Sequence, residues 1–485
     1  MERHATILLV FCLLRNRLFD MKTFTKTVLI SVLIYGLNGR IASAQNQQKV
    51  QQIDALVHDA NKLGLFNGNL LVEENHQIIY RAAVGYADAS GKIPLNEQYR
   101  FHIGSIAKEF NAVGMMMLKE EGKLRLEDRV SKYLPELPAW ASQIKIINLL
   151  QYTSGLPDVR WKSVKNDSDN MADLQKVEKL DFEPGSSYAY NNNNVFIQRR
   201  IIEKITGLSF KEFVVQKLLK PCGMKTAIVD PDNQDQLIAR AYDNSRKEDD
   251  LHVPISGWTA LTLDDFYKWA HAITSFKLIS PESSRELLAV FGPNKQSGLG
   301  GGSMDGDRMV FHKHDGTARN YQALLISNVL KGRTVILMTN NQQNNLYAIN
   351  ASIQSILDGK PYVKIKKSVT ASFSQQIKTM NGPQVLEFYE KMKKEHGEEY
   401  NFEAESTLNE IGYMLMNSRK IDDAVLVFEY NTKLFPESGN VYDSLGEAYY
   451  ALGNKEKALQ NYTRSLQLDP TNEVAKKVIA ELNKK

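Results

Sequence analysis

The stretch Phe101-His102-Ile103-Gly104-Ser105-Ile106-Ala107-Lys108 decides how this chain is read. An apparent strand, Tyr99 to Ile103, runs into a glycine, and a serine then opens a helical pattern that continues to about Glu121. A side chain at a helix start sits where free backbone N–H groups and the positive end of the dipole point. Lys108 lies one turn further on, so its amine reaches the face that carries Ser105. A serine hydroxyl is a poor nucleophile until a base takes its proton. A lysine in a dry pocket can be that base, because burial lowers its pKa. The spacing alone is a weak signal. Ser142-Gln143-Ile144-Lys145 matches it too, and a lone serine at a helix start is more often a cap.

Two further elements give the first one context. Tyr190-Asn191-Asn192 follows Pro184-Gly185-Ser186-Ser187 and precedes a helical pattern, Phe196 to Thr206. A phenol can pass a proton between a serine oxygen and a leaving group if cations lower its pKa, and the Asn192 amide can bind a substrate amide. The competing reading of Asn191 to Asn194 is a polar loop. Tyr242-Asp243-Asn244 repeats the Tyr-x-Asn pattern without the Pro-Gly entry or the helix. The third element, His314-Asp315-Gly316, stands just before a strand that begins at Tyr321. Gly316 lets a substrate approach the backbone, and the Thr317 N–H can pair with the Ser105 N–H as an oxyanion hole. The competing reading of His314 is a surface histidine beside His312.

In this order the elements resemble the serine β-lactamase and penicillin-binding superfamily, and more narrowly its class C-like branch. The resemblance extends over most of residues 55–360, through Glu120-Glu121-Gly122-Lys123-Leu124, Tyr133-Leu134-Pro135-Glu136, Leu149-Leu150-Gln151-Tyr152-Thr153-Ser154-Gly155-Leu156-Pro157 and Pro221-Cys222-Gly223-Met224. It implies that Ser105 is acylated, that Lys108 is its base, that Tyr190 passes protons to the leaving group and later activates water, and that Asn192 orients the substrate amide. His314 stands where β-lactamases carry the lysine of Lys-Thr-Gly. Lysine is a lasting point charge suited to a substrate carboxylate, whereas histidine is mostly neutral at pH 7, so the exchange argues against strong β-lactamase action.

Around these motifs the chain divides in two. From Gln45 to about Tyr362 one region opens with a helical stretch, Val50 to Leu63, and a hairpin pattern, Gly68 to Val72 and Ile78 to Gly85. It closes with a second hairpin, Tyr321 to Asn328 and Thr334 to Thr339, around Lys331-Gly332. Strands at both ends with helices between predict an α+β domain over 45–362 whose sheet is closed by both termini, and the resemblance implies a β-lactamase-like antiparallel sheet flanked by helices, with an all-helical lobe. After a linker expected at 363–371, residues 372–485 repeat at a spacing of 34: Leu408 and Tyr442, Gly412 and Gly446, Ala424 and Ala458, Phe428 and Tyr462, Pro436 and Pro470. This resembles the tetratricopeptide repeat. Two copies are expected at about 405–438 and 439–472, with a capping helix over 473–485 and a degenerate first pair over 372–400 broken at Asn381-Gly382-Pro383.

The chain has 485 residues and a formal net charge of +4. Residues 1–44 carry six basic side chains and two acidic ones, so from Gln45 onward the charge balances. That removes the case for a nucleic-acid partner. Lys22 and Lys26 precede an apolar run, Val28 to Leu37, and Ala42-Ser43-Ala44 offers small residues for a peptidase. The segment 1–44 is therefore read as a signal leader cut after Ala44, with Met1 or Met21 as its start, leaving no stable membrane span and a secreted or periplasmic bacterial protein. Cys12 falls in the leader. Cys222 alone remains, which excludes an internal disulfide and a cysteine metal cluster.

The expectation is a metal-independent serine hydrolase with no cofactor. Its substrate, a small molecule or peptide, is a D-amino-acid peptide, peptidoglycan fragment or small ester, and the repeats offer a surface to a protein partner. The alternatives are a β-lactamase in the strict sense and a non-catalytic binding protein that works through its repeats.

Overall fold

The computed structural model describes residues 45–484 apart from 344 and 375. The expected leader, with Cys12, both start positions and the cleavage point, lies outside the described residues. The chain divides after Val363 into two compact units.

In the first unit, residues 45–62 form a helix whose Ile53, Leu56, Val57 and Ala60 are buried at helical spacing. Strands β1 (Gly68–Glu74) and β2 (Gln77–Val84) follow as an antiparallel hairpin. Asn75 and His76 both adopt positive φ, 53° and 60°, so the turn is tighter than the five-residue connection expected at Glu73 to Gln77. Short strands β3 (Phe101–His102), β4 (Ile228–Val229) and β5 (Thr259–Leu261) make a small antiparallel sheet with β5 central. Strands β6 (Gly301–Asp305), β7 (Arg308–Ala318), β8 (Tyr321–Asn328) and β9 (Arg333–Thr339) complete the main sheet, ordered β2-β1-β9-β8-β7-β6. Strand β1 pairs with β9, from Gly68↔Thr339 to Glu73↔Thr334. The two ends of the unit thus close one sheet. All seven residues of β9 are buried, as fits a central strand covered on both faces.

The helix Lys108–Glu120 runs through the core with Phe110, Val113, Met115, Met116 and Leu118 buried. It packs against the helix Asn192–Thr206. A helix buried on nearly every side is fixed from all directions, which suits a helix that carries a reactive serine at its start. The sequence pattern missed β7. Its run Phe311-His312-Lys313-His314-Asp315-Gly316 is too polar to read as a strand, although burial alternates along it: His312, His314 and Gly316 are turned inward.

The second unit begins earlier than the expected linker allows. Lys367–Ser368 pairs with Tyr400–Asn401, and Val369 is buried in the helix Val369–Phe373. Asn381 caps the helix Gly382–His396, with Pro383 in its first turn. The break at Asn381-Gly382-Pro383 therefore starts a helix rather than joining two. Helices Glu405–Asn417 with Ile421–Leu434, and Gly439–Ala451 with Lys455–Leu468, form the two repeats, followed by Glu473–Leu482. Phe428 lies against Gly412, and Tyr462 against Gly446: a Cβ at either glycine would meet the ring, at 2.5 Å and 3.1 Å. The aromatic of each second helix fills the gap left by the glycine of the first.

Candidate active site

Ser105 sits in a 3-10 turn, Gly104–Ala107, that feeds the helix Lys108–Glu120. Lys108 Nζ lies 2.8 Å from Ser105 Oγ. Lys108 is only 3% exposed, and its Nζ stands 5.0 Å from the Tyr190 ring centre and 5.1 Å from that of Trp258. Burial pulls its pKa down to about 7, the Arg199 charge pulls the same way, and Asp158 opposes both. Arg199 is itself buried, and its guanidinium donates to Asn111 Oδ1 at 2.8 Å and to the carbonyls of Ser256 and Gly257. The competing Ser142 is spent locally: its hydroxyl donates to the Ala139 carbonyl at 2.7 Å on the exposed surface.

Tyr190 comes to the same place from the other side. Its hydroxyl interacts with Ser105 and with Tyr152, and its ring centre lies 4.6 Å from that of Tyr152. The condition attached to its role, a pKa lowered by cations, is not met. Burial raises the phenol pKa, the charge of Asp315 adds to the rise, and the hydrogen bonds from Ser105 and Tyr152 offset only part of it. Tyr190 is thus a neutral phenol, able to relay a proton but not to start as a phenolate.

The run Asn191 to Asn194 is a helix start, not a polar loop. Asn191 caps the helix, accepting from the Asn194 N–H at 3.1 Å and donating to the Leu156 carbonyl at 2.7 Å. Asn193 donates to the Pro157 carbonyl and accepts from Asn170. Asn194 donates to Asn191 Oδ1. Asn192 differs. Its backbone N–H donates to Asp158 Oδ1 at 2.8 Å, while its half-buried side-chain amide makes no hydrogen bond to a described residue. Tyr242, from the competing Tyr-x-Asn, is buried apart from this group and heads a turn closed by Asp243.

Strand β7 closes the site. Gly104 has φ +54°, and a Cβ there would lie 2.5 Å from the Thr317 nitrogen. A Cβ on Gly316 would lie 2.0 Å from the Ile103 carbonyl oxygen and 2.8 Å from the Ser105 nitrogen. The serine turn and β7 can touch only because both residues lack side chains. That contact brings the Ser105 and Thr317 backbones together, as an oxyanion hole needs. His314 is not a surface residue: it is 3% exposed, and its Nδ1 lies 2.8 Å from Glu109 Oε1.

Some neighbours carried no recognisable signal in the sequence. Trp258, just before β5, reaches Lys108. The Tyr347 hydroxyl donates to Asp315, inside the third motif, at 2.7 Å. Glu109, beside Lys108, takes its meaning from histidines some two hundred positions away.

The beta-lactamase family model matches residues 50–356, and a tetratricopeptide repeat model matches residues 439–472. Over 382 residues the chain is 28% identical to Penicillin-binding protein 4* of Bacillus subtilis (strain 168), covering 68% of this chain and 83% of that protein. Over 314 residues it is 26% identical to Protein flp of Staphylococcus aureus (strain MRSA252), covering 60% of this chain and 62% of that one's length. Two solved structures share the fold. A class C beta-lactamase superposes with a TM-score of 0.55 at 20% identity over 65% of this chain and 97% of that one. The D-amino acid amidase from Ochrobactrum anthropi SV3, complexed with D-phenylalanine, gives 0.52 at 20% identity over 64% and 97%.

Proposed function

The chain belongs to the beta-lactamase family within the serine β-lactamase and penicillin-binding superfamily, and on that premise we propose that it is a secreted serine hydrolase that cleaves an amide or ester through an acyl-enzyme at Ser105. The observation that carries the reading is the 2.8 Å contact between Ser105 Oγ and Lys108 Nζ, with the lysine buried. A lysine held near pKa 7 is substantially neutral at physiological pH and accepts the serine proton as Oγ attacks the carbonyl carbon. The Ser105 and Thr317 N–H groups hold the oxygen that becomes negative. Tyr190 hands a proton to the departing amine or alcohol, and the acyl group passes to water by the same relay in reverse. Asn192 offers its free amide to the substrate.

D-amino-acid peptides, peptidoglycan fragments and small esters are the substrate classes in view. The D-amino acid amidase of like fold supports the first of these, and the Bacillus subtilis relative is named for binding penicillin. The repeat unit would dock a protein partner, since the grooves of such arrays accept peptides and helices.

The test is labelling of the full chain by a fluorophosphonate or penicillin-type probe, followed by turnover of p-nitrophenyl esters, D-amino-acid anilides and nitrocefin. Ser105→Ala abolishes labelling if the reading holds. Equal labelling of the mutant would overturn it.

A further inference from the structure

Behind Ser105 and Lys108 lies a buried cluster that the proposed chemistry leaves unused. Glu109 follows Lys108 on the same helix and is 0% exposed. Three donors converge on its carboxylate. His312 Nε2 at 2.9 Å and His314 Nδ1 at 2.8 Å share one oxygen. The Trp269 indole N–H donates to the other at 2.6 Å. Burial alone would raise the Glu109 pKa, but the charge and hydrogen bonds of His312 and His314 hold it at about 2. An ionised carboxylate only accepts. Both imidazole nitrogens that face it therefore carry protons; Glu109 orients the His314 ring, and shares the His312 Nε2–H with the Leu299 carbonyl at 3.2 Å.

The two rings differ in what remains. His312 Nδ1 is buried without a partner among the described residues. His314 Nε2 also has no hydrogen bond to a described residue. His314 stands two positions before Gly316, on the face of β7 that abuts the serine turn. A ring held at Nδ1 by a carboxylate, on the strand face that abuts a serine turn, follows the orienting logic of the Ser-His-Asp arrangement.

We propose that Glu109 is a positioning residue: by accepting the Nδ1–H of His314 it fixes that ring so that Nε2 meets the substrate acyl portion held at Ser105. The inference rests on Ser105 being the nucleophile. A purely structural Glu109 would instead tie the central helix to β7 and to Trp269, with no dependence on what His314 does.

The two are separated by a double-mutant comparison on the full chain, reading kcat/KM for a p-nitrophenyl ester, the rate of fluorophosphonate labelling and the melting temperature. Glu109→Gln is expected to lower kcat/KM by at least about tenfold when His314 is present, and by less than about twofold in a His314→Asn background. Trp269→Phe removes a donor from the same carboxylate without touching His314, and is expected to lower the melting temperature while kcat/KM stays within about twofold. If Glu109→Gln does not fold, Glu109→Asp, which keeps the charge and withdraws it by one methylene, carries the same comparison. An equal loss in both backgrounds, or no loss in either, overturns the proposal. Failure of the hydrolase reading is distinct, because it appears as unlabelled wild-type protein, or as labelling that Ser105→Ala leaves unchanged, before any Glu109 variant is made.

Discussion

Lys108 Nζ and Ser105 Oγ are 2.8 Å apart across the joint between a 3-10 turn and an α-helix. The pair is local in sequence, but its chemistry is not. Tyr190 and Trp258, from two other parts of the chain, face the lysine and leave it 3% exposed. A lysine on the surface would keep its proton at neutral pH and could not serve as a base.

That burial predicts the pH profile of acylation. With the Lys108 pKa lowered to about 7 by burial and by Arg199, the amine is protonated below that value and free above it. The labelling rate should rise about tenfold per pH unit below 7 and level off above. Lys108→Ala should cost roughly 10²–10⁴-fold and remove the step. A rate that is flat from pH 5 to 9 in the wild type would rule Lys108 out as the base. The same depression makes stability rise as pH climbs from about 7 towards 10.5, because over that range the unfolded chain binds the proton and the folded one does not.

Arg199 gives a second prediction. Its charge is the second cause of the low Lys108 pKa. It is held by Asn111 and by the Ser256 and Gly257 carbonyls, and Gly257 makes room for it: φ is +98°, and a Cβ would lie 2.2 Å from Arg199 Nε. Arg199→Met should move the acylation midpoint to higher pH, since a lysine relieved of a like charge holds its proton longer. It should also cost about 1–3 kcal/mol through the partners it leaves unpaired. Gly257→Ala should destabilise by a similar amount through strain and the clash. Thermal unfolding and the pH profile read the two effects separately. An unmoved midpoint in folded Arg199→Met would show that the cation does not tune Lys108.

What the sequence disclosed follows from how far each signal reaches. Ser105 and Lys108 were legible because a helical turn brings residues three apart together, and the repeats were legible because Gly412 and Phe428 recur as Gly446 and Tyr462. The ends of the main sheet were legible from two hairpins. Strand β7 was not, because a strand pairing its polar residues with buried partners loses the apolar alternation that marks strands. Glu109 was silent for the same reason: next to Lys108 it looks like a helix-surface glutamate until β7 brings His312 and His314 to it. Of the four asparagines, nothing local separates Asn192 from the three whose amides hold the helix start.

The contact between the serine turn and β7 yields the last prediction. Gly316 is inward-facing on β7, and a Cβ there would fall 2.0 Å from the Ile103 carbonyl oxygen. That oxygen belongs to the backbone, so no side-chain rotation can relieve the overlap. Gly316→Ala must therefore push β7 away from Gly104 and Ser105 and open the distance between the Ser105 and Thr317 N–H groups. Loss of one oxyanion donor costs about 10²–10³-fold, and a loss of that size in kcat is expected. Lys108 lies on the helix rather than on β7, so the midpoint of the pH profile should stay near 7 while the plateau falls. A folded Gly316→Ala protein that acylates at the wild-type rate would show that Thr317 does not hold the oxyanion, and would leave the Ser105 N–H to act with some other donor.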